Sequence, residues 1–467
     1  MALVVVAGGM MLSVINVSIV NIALPAMAED FGVSPAMIGW VVTGYLVTQA
    51  TLLPIAGRAG DVFGRRRVFV LGVVILSVAS LLAALAPTEP LLILFRILQG
   101  VGGSAMAPTA FAFAAELFGP SERGQALGIM GGVLGLAPVL SLNIAGVLVQ
   151  ETGWRTVFLF SPIVGVVVLA GAALVLPEAR AAGPRRSFDL PGAALAAGGL
   201  FSILLALSQG GAWGWASPAV IGTLAAGVLL LVGFVWRESV ARDPMIDLGL
   251  FRLRSLATAN LAAMASAGAL FGVLLVLPFA FSAALGFGPV ALGLSITPIA
   301  ASFVVVAPIA GRLMSRTGAA RMAAGGFVVS GAGAVAMGLV APARDYTVLL
   351  PGLIAFGVGL AMATAPITTA AISEVPRDRL GIASSLPNIS RYVGGALGSA
   401  ILVALVGSTT SDGSDRRNDL IAADFRLALF AAAGMLALAA MIAVRMPPGR
   451  GVASDRAPGP DPTRERA

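Results

Sequence analysis

Gly57-Arg-Ala-Gly-Asp61-Val-Phe-Gly64-Arg65-Arg-Arg67 is a tight, glycine-rich hairpin with four arginines, flanked by apolar stretches at 38–56 and 68–86. Each flank is about the length that crosses a ~30 Å hydrocarbon core. A basic turn between two apolar spans belongs on the cytoplasmic face of a bilayer. The turn recurs. Pro54-Ile-Ala-Gly-Arg58 reappears letter for letter as Pro308-Ile-Ala-Gly-Arg312. Gly64 and Arg67 match Gly318 and Arg321 in the same register. The chain reads as two related halves of one polytopic membrane protein.

Composition agrees. The chain is 58% hydrophobic and 11% charged, with mean hydropathy +0.97. Soluble domains carry about 25% charged residues. All 29 basic residues are arginine, and histidine and cysteine are absent. Without lysine the chain has no Walker A motif and no Schiff-base chemistry. Without histidine or cysteine it lacks the parts of a zinc site, a histidine-based nucleophile system or a disulfide. Neither a cofactor nor a metal is expected, and an enzyme reading is poor.

Fourteen apolar spans are expected between residues 3 and 446, the first at 3–27 and the weakest at 191–208. With both termini placed in the cytoplasm, inner loops and the tail hold 22 arginines and outer loops hold five, while Arg96 and Arg391 fall inside spans. This positive-inside bias fixes the expected orientation. It also accounts for the net charge of +7 as topology rather than nucleic-acid binding. The two Pro-Ile-Ala-Gly-Arg copies, at 54 and 308, lie in the second and tenth spans, so two extra helices separate the halves. The expected organisation is all-α: an N-terminal six-helix bundle at 1–177, two inserted helices and linkers at 178–255, a C-terminal six-helix bundle at 256–446, and a disordered cytoplasmic tail at 447–467. The stretch 407–424 reads as a solvated outer loop. Trp40, Trp154, Trp213, Trp215 and Trp236 read as interface anchors.

Four motifs carry a family resemblance. They are the turn Gly57 to Arg67, the run Arg96-Ile-Leu-Gln99-Gly-Val-Gly-Gly-Ser-Ala, the segment Asn16-Val-Ser-Ile-Val-Asn21-Ile-Ala-Leu-Pro25, and Trp154-Arg155 with Phe158. Together they resemble the major facilitator superfamily, in its fourteen-helix drug:proton antiporter branch, over residues 3–446. The resemblance implies a secondary transporter in the inner (plasma) membrane. By this likeness Gly57, Asp61, Gly64, Arg65 and Glu116 form a cytoplasmic gate, with Asp61 latching the halves near residues 381–385. The residues themselves also allow topology arginines with a capping acid, since Asp61 stands ahead of the third span and faces Arg65 one turn on.

Asn16, Asn21, Tyr45, Gln49, Arg96, Gln99, Asn388 and Arg391 are the candidate lining of a central cavity. Arg96 either snorkels to the surface or points inward beside Gln99. Arg391 lies about nine residues into its span. It is either functional, as intramembrane charges are by default, or a structural cation held by carbonyls and Asn388. No carboxylate is mid-membrane. The branch usually has an aspartate where this chain has Asn16, and asparagine does not bind and release a proton. Two arginines without an acid disfavour cationic cargo and favour anionic or neutral amphipathic substrates. Proton carriers are then expected at helix ends: Asp61, Glu116 and Glu374 inside, Glu29, Asp30 and Glu151 outside. The fifth span carries a partial antiporter motif, and Pro138 predicts a bend there. The expected activity is proton-coupled efflux of a drug or secondary metabolite by a monomer. The alternative is a symporter or uniporter of a small anionic metabolite.

Overall fold

A computed structural model describes residues 1–116, 123–177, 189–241, 248–343, 345–375, 380–406 and 417–447. These residues are almost entirely helical, as a lipid-embedded backbone requires: no water is present to bond stray N–H and C=O groups. The helices are α1 (Ala2–Ser18), α2 (Leu24–Phe31), α3 (Pro35–Ile38), α4 (Trp40–Phe63), α5 (Arg65–Ala84), α6 (Glu89–Glu116), α7 (Arg123–Thr152) and α8 (Thr156–Val175). They continue as α9 (Leu190–Trp213), α10 (Pro218–Val240), α11 (Arg254–Leu285), α12 (Pro289–Thr317), α13 (Ala319–Val340), α14 (Tyr346–Ile372), α15 (Leu380–Val406) and α16 (Arg417–Val444). Among the described residues, 13 helices are long and apolar enough to cross a membrane. The helix α7 occupies the place of the remaining expected span, with Leu136–Thr152 apolar. The chain is an all-α polytopic membrane protein.

The first expected span is not one helix. The α1 helix stops at Ser18, a 3₁₀ turn covers Asn21–Ala23, and α2 starts at Leu24. Pro25 is responsible: it lacks an N–H, and its ring opposes the carbonyl four residues back, at Asn21.

The repeat seen in sequence is a repeat in packing. Gly64 ends α4 at φ 98°, and Gly318 ends α12 at φ 82°. Both values lie where a Cβ is strained, so each half turns on a glycine for the same reason. One register further along, Gly72 of α5 packs on Gly102 of α6, and Gly326 of α13 packs on Gly359 of α14. A Cβ on Gly72 would sit 2.8 Å from the Gly102 carbonyl oxygen, and one on Gly326 would sit 2.5 Å from that of Gly359. Small residues at such crossings let helices associate where lipid supplies no hydrophobic drive.

Helices α1 and α4 to α8 pack on one another, as do α11 to α16. The two groups meet through α7 against α12 and α4 against α15. The α9–α10 hairpin lies outside, with α9 resting on both α4 and α15 and thereby covering that seam. Trp40 and Trp154, expected as interface anchors, are instead buried at 6% and 5% exposure. Trp40 lies against Phe201 of α9, with ring centroids 5.7 Å apart. Trp213, Trp215 and Trp236 are exposed. The α16 helix begins at Arg417, so the outer loop is shorter than expected and Asp424 is buried inside a helix. The tail beyond residue 447 lies outside the described residues.

Candidate functional site

The break in α1 creates a place for a buried cation. A helix end leaves carbonyls without amide partners. The Asn16 carbonyl, in the last turn of α1, accepts from Arg96 Nη2 at 3.1 Å. Arg96 Nε donates to the Val41 carbonyl of α4 at 2.7 Å, and Nη1 donates to Gln99 Oε1 at 2.7 Å. The Tyr45 ring lies 4.4 Å below the guanidinium. Arg96 is 0% exposed. It therefore does not snorkel. Three neutral acceptors and an aromatic face offset the cost of burying its charge. Gln99, fixed by Arg96, passes a hydrogen bond to Ser80 Oγ of α5 at 2.5 Å.

The Asn16 side chain turns away from Arg96. Its Nδ2 donates to the Leu12 carbonyl at 2.8 Å and to Ser161 Oγ of α8 at 2.9 Å. Beside it, Tyr45 Oη donates to the Ser13 carbonyl, and Gln49 Nε2 donates to Ser13 Oγ and Tyr45 Oη at 3.1 and 3.0 Å. A Cβ on Gly103 would lie 2.5 Å from Gln49 Nε2, so this part of the fourth-helix motif is glycine because the network occupies the space. Gln49 Oε1 is a buried acceptor with no donor among the described residues, and so is Asn21 Oδ1. Asn21 sits in the 3₁₀ turn, which touches α7, α11 and α12 where the halves meet.

The structure thus gathers Asn16, Tyr45, Gln49, Arg96 and Gln99 into one closed network within the first half. Asn388 and Arg391 are apart from it, on α15, and both are partly exposed. Sequence reasoning passed over Ser13, Ser80 and Ser161, the hydroxyls that join the network. Their one signal was a hydroxyl within a largely apolar span, which Ser18 and Ser77 share without joining the network. It also passed over Glu89, which is 6% exposed and keeps one buried carboxylate oxygen without a donor among the described residues.

At the hairpin end, α4 continues through Asp61 to Phe63. Asp61 is therefore in the last turn of α4 and not at the start of the third span. Gly64 separates it from Arg65, so the two are not neighbours on one helix. This corrects the capping alternative: a carboxylate at a helix C-terminus is disfavoured by the macrodipole. The side chains of Asp61, Glu116 and residues 381–385 lie outside the described residues. Gly57 faces Pro108 of α6 with room for a Cβ at 3.6 Å. Arg66 Nη2 donates to the Ala173 carbonyl of α8 at 2.8 Å. Glu374 accepts from Ser255 N at 3.3 Å and so caps α11.

At the opposite end the two halves come together closely. A Cβ on Gly146 of α7 would lie 2.7 Å from the Pro289 carbonyl oxygen, and one on Gly293 of α12 would lie 2.6 Å from that of Leu142. Asn143 Nδ2 donates to Thr297 Oγ1 across this seam at 2.8 Å. The fifth span, which departs from the antiporter motif in sequence, is therefore the span that seals this end. Helix α7 runs unbroken through Pro138. Asp30, in the last turn of α2, accepts from Trp154 Nε1 at 3.0 Å and from Arg155 Nη1 at 2.8 Å.

Two halves built to one pattern, tight at one end and turned by glycine hairpins at the other, form a transporter fold. The model of the Major Facilitator Superfamily matches residues 6–399. The chain belongs to the Major Facilitator Superfamily.

Within this superfamily the chain is similar to the tetracenomycin C resistance and export protein of Streptomyces glaucescens. The two are 33% identical over 88% of this chain and 76% of that protein. It is 34% identical to the puromycin resistance protein of Streptomyces alboniger, over 94% of this chain and 90% of that protein. Among solved structures it resembles a bacterial homolog of the human lysosomal transporter Spinster, in an inward-facing and unoccupied conformation. The TM-score is 0.71 at 16% identity, covering 95% of each chain. That likeness concerns the fold. The superfamily membership makes this chain a multi-pass membrane transporter and not an enzyme.

Proposed function

We propose that this superfamily member is a proton-coupled exporter of drugs or secondary metabolites in the plasma membrane, with both termini cytoplasmic. Two bundles, residues 1–177 and 256–446, rock about a central cavity beside the α4–α15 seam, lined by Asn388 and Arg391 of α15, with the buried network of α1, α4 and α6 as a packed wall. The single observation that carries this reading is the close seam between the halves at the end away from the basic hairpin. The close contacts Gly146–Pro289, Gly293–Leu142 and Asn143–Thr297 lie away from the basic hairpin. In the orientation that the arginines favour, this is a state closed to the outside. The relatives named for resistance to, or export of, tetracenomycin C and puromycin support the direction of transport.

Asp61 and Glu116 are the proposed latch on the cytoplasmic side, in which Asp61 is an acid placed against its helix dipole. Coupling runs through carboxylates at helix ends, because position 16 is an asparagine whose amide is already engaged with Leu12 and Ser161. The cargo is an anionic or neutral amphipathic molecule. Substrate-dependent proton flux in proteoliposomes tests the proposal: acidification linked to substrate movement supports it, and substrate movement without proton movement refutes the coupling.

A further inference from the structure

The two intramembrane arginines have opposite surroundings. Arg96 is sealed, with donors spent on Val41, Gln99 and Asn16. Arg391 is partly exposed, and among the described residues no carbonyl, amide oxygen or carboxylate accepts from it. A guanidinium carries five N–H donors in a planar fork that fits a carboxylate. Left without an acceptor inside an apolar helix, it is costly to keep unless it meets one during function.

The direction it faces follows from helical geometry. At 3.6 residues per turn, Asn388, Arg391, Tyr392 and Gly395 fall in one arc of about 100°. Ser390, Gly394 and Gly398 fall on another arc, which α11 occupies: Ser390 Oγ donates to Asn260 Oδ1 at 2.8 Å, and Gly398 meets the backbone of Gly268. The Arg391 arc adjoins it, with Arg391 about 20° from Gly398, and turns from α11 toward the neighbouring α4. A Cβ on Gly395 would strike the ring of Phe271, at 2.6 Å from Cδ2. Tyr392 stands within electrostatic reach of Tyr45 on α4, in the other half. Arg391 therefore lies beside the α4–α15 seam, next to Tyr392 and one turn from the Gly395–Phe271 contact.

We propose that Arg391 is the anion-binding residue of the transport path and that Arg96 is a structural cation. The cargo is an aromatic organic anion. Its carboxylate or phenolate meets the Arg391 guanidinium, its ring lies against Tyr392 and Phe271, and Asn388 supplies a further polar contact on the same arc. This assignment rests on the transport reading and names the chemistry of its site.

The test uses the full-length protein in proteoliposomes with two dyes of similar size, anionic carboxyfluorescein and cationic rhodamine 123. The wild type moves carboxyfluorescein in preference. Arg391→Gln raises the KM for carboxyfluorescein about tenfold or more and shifts the dye preference toward the cation. Arg391→Lys recovers part of the loss. Unchanged KM and preference in Arg391→Gln overturn the assignment while leaving transport standing. Wild-type protein that moves rhodamine 123 but not carboxyfluorescein overturns the anionic cargo. Wild-type protein that moves neither dye counts against both readings. A second measurement does not depend on the folding of the arginine variants. Asn388→Cys in this cysteine-free chain is shielded from a thiol reagent by carboxyfluorescein if the assignment holds, and equal labelling with and without the dye overturns it.

Discussion

Asn143 on α7 donates its side-chain amide to the hydroxyl of Thr297 on α12 at 2.8 Å, joining the two halves at the end away from the basic hairpin. The bond must break whenever that end opens. A neutral hydrogen bond contributes about 0.5–1.5 kcal/mol, so its loss shifts an open–closed equilibrium a few-fold to about tenfold. Asn143→Ala and Thr297→Val should each raise labelling of a cysteine placed at Leu142, which is buried in the closed seam, and Thr297→Ser should restore the labelling seen with both residues native. Unchanged labelling in both variants would mean the bond does not hold the seam.

Arg96 is expected to matter for folding more than for cargo choice. Its removal frees the acceptors Val41 O, Asn16 O and Gln99 Oε1 and leaves a large void. Arg96→Ala should cost about 3–5 kcal/mol, seen as a large fall in thermal unfolding temperature in detergent. Arg96→Lys should also lose stability, because an ammonium cannot span three acceptors with a planar fork. Its preference between anionic and cationic dyes should match the wild type.

The repeated turn predicts paired behaviour. Gly64 and Gly318 hold φ near 98° and 82°, and each is followed at once by a new helix. Gly64→Ala and Gly318→Ala should each destabilise by about 1–3 kcal/mol through backbone strain. Gly57→Ala, with its Cβ at ordinary distance from Pro108, should be tolerated. Thermal unfolding of the three variants separates these outcomes.

Proton coupling through helix-end carboxylates also has a direct check. Asp61→Asn combined with Glu116→Gln should abolish transport driven by a pH gradient while leaving substrate exchange across the membrane. Undiminished gradient-driven flux in the double variant would remove both residues from the coupling path.

Much of the fold was legible because membrane spans announce themselves by length and apolarity. The exact return of Pro-Ile-Ala-Gly-Arg then fixed the two-fold organisation. Boundaries were less legible where a helix runs on beyond its apolar core. The α4 helix carries Asp61 in its last turn, which places that acid at the opposite dipole end from the one its sequence position suggested. The site was half legible. Arg96, Gln99, Tyr45, Gln49 and Asn16 were singled out by residue type, and they do meet. What sequence could not give was direction: Asn16 offers Arg96 its backbone carbonyl and turns its amide to Ser161. A contact between residues 145 positions apart leaves no local pattern. The departure at Asn143 read as a degraded motif, and it is the residue that bridges the halves.

The central claim is that the two halves open the cavity to one side at a time. Spin labels test it most directly, and the absence of native cysteine allows clean placement. One pair goes on exposed Phe63 and Arg316 near the hairpins, the other on exposed Glu151 and Gly288 at the sealed end. Distances within each pair are then measured as substrate and a proton gradient are applied. The account predicts reciprocal change, with the Glu151–Gly288 distance growing as the Phe63–Arg316 distance shrinks. Two distances that stay fixed, or that grow together, would contradict it.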